Sequence, residues 1–571
     1  MRIALGQFNA TVGDLAGNVE RMKGMWAEAG AAGADLVAFP ELAICGYPPE
    51  DLVYKKQFVQ DNRLALEELA AACAKKTLVV GFVEGSNGDL YNSAAVIQEG
   101  RVAGIYRKTL LPNTSVFDEQ RYFKPGGAPV IINVEGWQVA LTICQDIWDT
   151  AWLAGFFAGT GRIDLMLNLS ASPFHVNKIY QRYGVVADCS DLFHCAVAYC
   201  NLVGGQDELV FDGRSILADS TGTVVTKARA FEEDLLIADI ECSPAAPGWE
   251  RTTPEGGGAT GAGGPRVEVR PLQPPAPQPK DEVEEVYQAL VLGTRDYALK
   301  NGFKQVLLGI SGGIDSAVTA AIAAAALGPQ NVVCVTMPSR FNSPETIADA
   351  KLVTDNLGCP LLTIPIEPIL KPFNESLKAD PRWNDKGLAY ENLQARIRGM
   401  VLMSLSNQIG ALVLTTGNKS EVSVGYSTLY GDTAGGFSVI KDVLKTMVYR
   451  LAEYINRLAG RAVMPASVIE RVPTAELRPD QKDSDSLPEY DVLDRIITGY
   501  VEQDRSARDL VESGLPAGEV QRVIRMIDRN EYKRRQSPPG VRITAKAFGK
   551  DRRLPITNRY TTTVAERRKK A

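Results

Sequence analysis

The sequence predicts an α/β protein in two parts: a strand-rich layered domain, then a domain built on a doubly wound parallel sheet. Three observations predict it. The chain has 571 residues, too many for one ordinary domain. Apolar β-branched runs alternate with helical periodicity in both halves. A Gly-, Pro- and Ala-rich stretch, residues 243–280, breaks both patterns and reads as a linker between 1–242 and 281–571.

In the first part, MRIALGQ opens as a strand. Further strands are expected at ADLVAFPE (34–41), TLVVGFVEG (77–85), NSAAVIQEG (92–100), VALTICQD (139–146), IDLMLNLS (163–170), CAVAYCNLV (195–203) and DLLIADIEC (234–242). NRLALEELAAACAKK (62–76) carries helical periodicity between two of them. In the second part, QVLLGI (305–310) leads through a Gly-rich turn into the Ala-rich helix 317–328. Strands at 331–337, 360–366 and 411–418 then alternate with helices at 343–358 and 391–410. That succession is the mark of a parallel sheet whose ligands sit at the carboxyl ends of strands.

Composition narrows the function. Hydrophobic residues make up 45% and charged residues 23%, enough apolar content to fold. The net charge of −6 argues against a constitutive nucleic-acid binder. Residues 531–571 hold 13 Lys and Arg against 3 Asp and Glu. With three aromatics in no stacking order (Tyr532, Phe548, Tyr560), this tail suits substrate phosphates or subunit contacts better than RNA. No apolar run reaches the roughly 18 residues of a membrane span, and the opening residues do not read as a secretory leader. Nine cysteines without a C-x-x-C fit reduced thiols in a cytoplasm. Only His175 and His194 are present, which disfavours His-rich metal sites and a Ser–His–Asp triad.

The sharpest local signal is the strand-to-helix string Gly309, Ile310, Ser311, Gly312, Gly313, Ile314, Asp315, Ser316. Its glycines let backbone N–H groups approach an anion, and the helix start adds its positive dipole end. Ser311 and Ser316 supply hydroxyls, and Asp315 is suited to magnesium. It is neither a Walker A loop nor G-x-G-x-x-G; the plain alternative is a tight turn that needs glycine for packing. The string resembles the PP-loop of the ATP pyrophosphatases, which implies cleavage of ATP between its α and β phosphates, transfer of AMP to a substrate oxygen, and attack by a nucleophile such as ammonia.

Further strings in this half are LTTGNKSE (414–421), YGDTAGG (430–436), PTAEL (473–477), LPEYDVLD (487–494), EYKRRQ (531–536) and YENLQARIRG (390–399). Together they resemble the glutamine-dependent NAD synthetases over nearly all of 282–560. The resemblance implies that Thr416 contacts ATP, that Asn392, Glu421 and Lys533 contact nicotinate adenine dinucleotide, and that Asp315 and Glu421 hold Mg2+. Arg396 and Arg398 lie close enough to compete for the anionic dinucleotide.

Such a synthetase implies a source of ammonia. The first half offers FPELAICGY (39–47), YRKTLLPN (106–113) and LTICQDIW (141–148), each with a charged or nucleophilic side chain at a strand end. The three strings resemble the nitrilase superfamily, whose catalytic residues fall on Glu41, Lys108 and Cys144, and the resemblance implies an αββα sandwich. The chemistry is coherent: Glu41 shuttles the proton, Lys108 stabilises the oxyanion, and Cys144 attacks. Glutamine contacts fall on Ser172 and Lys178 and, where a tyrosine is usual, on Thr114. Gln145 stands where an acidic residue is common. The loop 112–124 beside Lys108, PNTSVFDEQRYF within it, has no strong periodicity and is the expected switch between the two activities.

The expected reaction thus takes glutamine, ATP and nicotinate adenine dinucleotide, uses magnesium and no tightly bound organic cofactor, involves neither nucleic acid nor membrane, and runs in a homo-oligomer. The second domain is expected to have an adenine nucleotide alpha hydrolase-like fold. The competing readings are another PP-loop amidotransferase, a nitrilase with a regulatory nucleotide-binding half, and an RNA-modifying PP-loop enzyme.

Overall fold

A computed structural model of the chain describes residues 1–243 and 266–560. Positions 244–265 of the connecting stretch and 561–571 of the basic tail lie outside the described residues. Two compact units emerge: Met1–Gln206 with Val210–Pro279, and Asp207–Leu209 with Lys280–Ala571.

In the first unit, β1 (Arg2–Gln7), β2 (Leu36–Ala38), β3 (Thr77–Ser86), β4 (Asp89–Gln98) and β5 (Arg101–Arg107) start one sheet. A second sheet holds β6 (Ile131–Val134), β7 (Trp137–Ile143), β8 (Leu165–Ser170), β9 (Ala196–Asn201), β10 (Ile216–Ala218) and β11 (Val224–Lys227). The chain then returns to the first sheet with β12 (Asp234–Ser243) and β13 (Arg266–Pro271). The strand orders are β13-β12-β1-β2-β3-β4-β5 and β11-β10-β9-β8-β7-β6. Each sheet has a parallel centre, β1-β2-β3 and β7-β8-β9, with antiparallel flanks.

Side-chain alternation explains how the sheets stack. Ile3 and Leu5 of β1 meet Val139, Leu141 and Ile143 of β7 and Leu165, Leu167 and Leu169 of β8 in one core between the sheets. The intervening Ala140, Met166, Val197 and Tyr199 face outward into a second core under the helices. Strands buried on both faces read as continuous apolar runs, which is why β8 is LMLNLS. Helices α1 (Leu15–Ala31) and α2 (Lys56–Ala72) flank the first sheet. α2 buries positions 62, 65, 66, 69 and 70, one helical stripe. α3 (Lys178–Phe193) covers the second sheet with Ile179, Val186 and Cys189. The result is the expected αββα sandwich.

β13 lies inside the stretch 243–280 that reads as a linker: Arg266–Pro271 forms six antiparallel partners with β12. Val267 and Val269 turn inward and are buried. Their two-residue alternation is short and hidden among flanking Gly and Pro, so composition masks it.

The second unit holds a five-stranded, wholly parallel sheet: β14 (Val306–Gly309), β15 (Val332–Thr336), β16 (Leu361–Thr363), β17 (Leu412–Thr415) and β18 (Phe437–Ser438), in the order β16-β15-β14-β17-β18. The winding reverses at β14, so the loops after β14 and β17 diverge and leave a crevice. Helix α4 (Ile314–Leu327) follows β14, and α5 (Pro344–Leu357) follows β15. α5 starts on the Ser343 cap, which accepts from the Thr346 N–H. α6 (Leu388–Ile409) precedes β17, α7 (Lys419–Val424) follows it, and α8 (Lys445–Ala459) comes after β18. No helix among the described residues is long and apolar enough to cross a membrane. All nine cysteines are free thiols, eight of them buried.

Candidate active sites

In the first unit the three candidate catalytic residues converge at strand ends. Lys108 directly follows β5, Cys144 directly follows β7, and Glu41 lies just beyond β2. Glu41, Lys108 and Cys144 are 0%, 1% and 4% exposed. Lys108 Nζ lies 2.6 Å from Glu41 Oε1 and 2.8 Å from Glu119 Oε1. Asn92 Nδ2 donates to Glu41 Oε1 at 2.7 Å, and the Ala171 N–H donates to Oε2 at 2.9 Å. Both Glu41 oxygens are therefore fixed. Cys144 takes a left-handed φ of +43°, a strain of roughly 1–3 kcal/mol for a non-glycine residue, and this turn ends β7 at the nucleophile.

Electrostatics define the resting state. Burial, then the Glu41 carboxylate, pushes the Cys144 thiol up to about 12. Burial alone would discharge Lys108, but Glu119 and Glu41 outweigh it and raise the ammonium above its ordinary value. Burial pushes Glu119 up to about 7 despite Lys108. Glu119 also accepts from the Tyr47 hydroxyl at 2.9 Å. No motif marks Glu119, which opens the one-turn helix Glu119–Tyr122 within the segment 112–124; the cue the sequence offers is nearness to Lys108.

The expected glutamine contacts are less uniform. Ser172 is buried, its N–H donating to Asn201 Oδ1 at 3.0 Å and its carbonyl accepting from Arg182 Nη2 at 2.8 Å. Lys178 opens α3, with Nζ 4.0 Å from the Trp148 ring centre and 3.1 Å from Gln181 Oε1. Thr114 is exposed on the loop between Lys108 and Glu119.

In the second unit a cavity of about 310 Å3 opens at the carboxyl ends of β14 and β17. Every residue from Gly309 to Ser316 except Gly312 lines it, together with Thr416 and Glu421. Gly312 serves the turn instead: its φ is +85°, and a Cβ there would meet the Thr346 carbonyl oxygen at 2.1 Å. Ser311 Oγ lies 3.1 Å from Ser316 Oγ and accepts from the Gly313 N–H at 3.2 Å, which fixes the loop. Asn418 Nδ2 donates to Asp315 Oδ1 at 2.9 Å. Lys445 pairs with Asp315 and lies 3.9 Å from Glu421. Asn392 and Lys533 do not line this cavity. Both grip its neighbouring segment: Asn392 accepts from Thr428 Oγ1 at 2.8 Å, and Lys533 donates to the carbonyls of Gly425 and Ser427 at 2.7 and 2.8 Å. Of the two competing arginines, Arg398 lines the cavity and Arg396 does not.

Comparison with known proteins covers the stretches that hold both candidate sites. A carbon-nitrogen hydrolase model matches residues 2–246 and an NAD synthase model matches residues 286–537. The glutamine-dependent NAD(+) synthetase of Thermotoga maritima is 42% identical, over 98% of this chain and 99% of its own. That of Aquifex aeolicus is 43% identical, over 98% and 100%. The chain belongs to the glutamine-dependent NAD(+) synthetases. A solved synthetase of this family from Acinetobacter baumannii, in complex with adenosine diphosphate, superposes with a TM-score of 0.73 at 38% identity, covering 98% of this chain and 99% of that one.

The cavity of this synthetase fits a divalent cation by the chemistry of its donors. Burial, then the neighbouring Asp315 carboxylate, pushes the Glu421 carboxyl well above the usual range. Two hard oxygen donors that repel one another suit a divalent cation. Among the described residues no cluster of three or more metal-ligating side chains forms, so phosphate and water oxygens would complete the shell. Lys445, like Glu119 at the first site, is a functional candidate that no motif announces. It lies outside the matched strings and reaches the site only through the fold.

Proposed function

We propose that this chain releases ammonia from glutamine at Cys144 and uses it to amidate nicotinate adenine dinucleotide that has been adenylated from ATP at the 309–316 loop. The observation that carries this reading is the co-occurrence in one chain of the buried Glu41–Lys108–Cys144 set and the cavity lined by the 309–316 loop.

At the first centre Sγ attacks the glutamine carboxamide carbon as Glu41 takes the thiol proton. The ammonium of Lys108 faces the oxyanion of the tetrahedral intermediate. Glu41 returns its proton to the leaving ammonia, and water then hydrolyses the thioester to glutamate. Ser172, Lys178 and Thr114 are the proposed glutamine contacts.

At the second centre the nicotinate carboxylate attacks the α-phosphorus and pyrophosphate leaves. Ammonia then displaces AMP from the acyl adenylate, giving the amide. The N–H groups and hydroxyls of 309–316 hold the phosphates, with Thr416 beside them. Asp315 and Glu421 would hold magnesium, which neutralises phosphate charge. Asn392, Glu421 and Lys533 order the side on which the dinucleotide binds.

The test is direct. With ATP, magnesium, glutamine and nicotinate adenine dinucleotide, the protein should form NAD, AMP, pyrophosphate and glutamate together. Glutamate without NAD or AMP would leave a nitrilase with a regulatory half, and overturn the reading.

A further inference from the structure

The Cys144 turn and the Lys108 loop belong to different sheets, and among the described residues no strand ladder joins them. β5 is the edge of the first sheet and β7 lies in the second. Main-chain pairing therefore cannot set the distance between nucleophile and ammonium. One buried carboxylate spans that gap. Asp146, two residues after Cys144, is 0% exposed. Its Oδ1 accepts from the N–H groups of Thr109 at 3.2 Å and Leu110 at 2.8 Å, the two residues after Lys108. Its Oδ2 accepts from the Ile143 N–H at 2.9 Å, just before Cys144, and from the Tyr106 hydroxyl at 2.7 Å, just before Lys108.

We propose that Asp146 is a positioning residue of the glutaminase centre, clamping the Cys144 turn onto the Lys108 loop so that thiol and ammonium stay in register through the reaction. The inference rests on the reading of Glu41, Lys108 and Cys144 as the reacting set. All four of these partners donate to the carboxylate, so an acceptor-only group is required. An asparagine of the same shape would present an NH2 to two of those donors. The clamp acts on geometry rather than on substrate: none of its four partners is one of the proposed glutamine contacts. Register matters here because a misplacement of about 1 Å between reacting groups costs on the order of 100-fold in rate.

The experiment uses the full chain with Asp146→Asn, Tyr106→Phe and Cys144→Ala, measuring glutamate release and NAD formation from either glutamine or ammonium chloride. For Asp146→Asn the expected result is a fall of about 100-fold in kcat for glutamate release, with the KM for glutamine held within about threefold. Tyr106→Phe removes one donor of four and should lose about 3- to 10-fold in the same parameter. Ammonium-supported NAD formation should match wild type in both. A wild-type kcat overturns the proposal, as does a raised KM at constant kcat, which would make Asp146 a binding group. Parallel loss of ammonium-supported activity would reduce it to a folding residue. Should Asp146→Asn not fold, Tyr106→Phe decides on the same kcat. Glutamate release surviving in Cys144→Ala would instead sink the reacting set itself, a failure distinct from that of the clamp.

Discussion

Cys144 is held as a neutral thiol, and that has a measurable consequence. Burial and the Glu41 carboxylate both penalise the thiolate, so ionisation shifts upward, to about 12. Alkylation of Cys144 by iodoacetamide should therefore rise roughly tenfold per pH unit from about pH 7 to about pH 9, with no plateau. A plateau below pH ~8 would reveal a preformed thiolate–ammonium pair instead. Cys144→Ala should abolish glutamine-supported synthesis and spare ammonium-supported synthesis, since the nucleotide cavity lies in the other unit. Asp315→Ala should impair synthesis from both nitrogen sources. It faces the cavity from the phosphate loop beside Lys445, so AMP formation should fall by about 100-fold or more with either nitrogen source, about 3 kcal/mol in transition-state terms. Unchanged AMP release would leave it a helix-start residue. At this scale legibility followed from contiguity. Glu41, Lys108, Cys144 and Asp315 stand in short strings whose neighbours share their work. Glu119 and Lys445 do not: they reach their partners through a loop and a helix that no motif marks.

Elements were legible where one periodicity ran unbroken. The double-faced strands β8 and β9 and the helices α4 and α5 meet the expected runs to within a few residues. The end of β7 was harder to place. The run 139–146 reads as one strand, but the chain leaves the sheet after Ile143 because Cys144 turns left-handed. β13 was hidden for a different reason, a short alternation inside a Gly- and Pro-rich stretch. It supports a prediction that separates the two portions of that stretch. GGGATGAGG (256–264) carries no side chain larger than that of Thr, so deleting it should leave folding and both activities intact. Val267 is 4% exposed in the core between the sheets, and Val267→Ala should lower the stability of the first unit by roughly 1–3 kcal/mol. Equal melting temperatures for Val267→Ala and wild type would show that β13 adds nothing to the sheet.

At the scale of the whole molecule the chemistry sets a problem that neither centre solves alone. Free ammonia is mostly protonated at neutral pH and so loses its nucleophilic lone pair, and glutamine hydrolysed without a waiting acyl adenylate is wasted. A chain that carries both centres gains most when Cys144 fires only with the second cavity filled. The structure offers a lever on the first centre: the loop 112–124 carries Glu119, which shares the Lys108 ammonium with Glu41. Moving that loop would change the charge balance around the nucleophile, because Glu119 is pushed up to about 7 and its carboxylate opposes the thiolate. Occupancy of the nucleotide cavity should thus raise glutamate release several-fold, a coupling of about 1 kcal/mol. The measurement is glutamate release with and without ATP and nicotinate adenine dinucleotide. Glu119→Gln should flatten the difference while leaving ammonium-supported NAD formation in place. Equal rates in wild type, with and without the synthetase substrates, would mean that the two centres are tethered without being coupled.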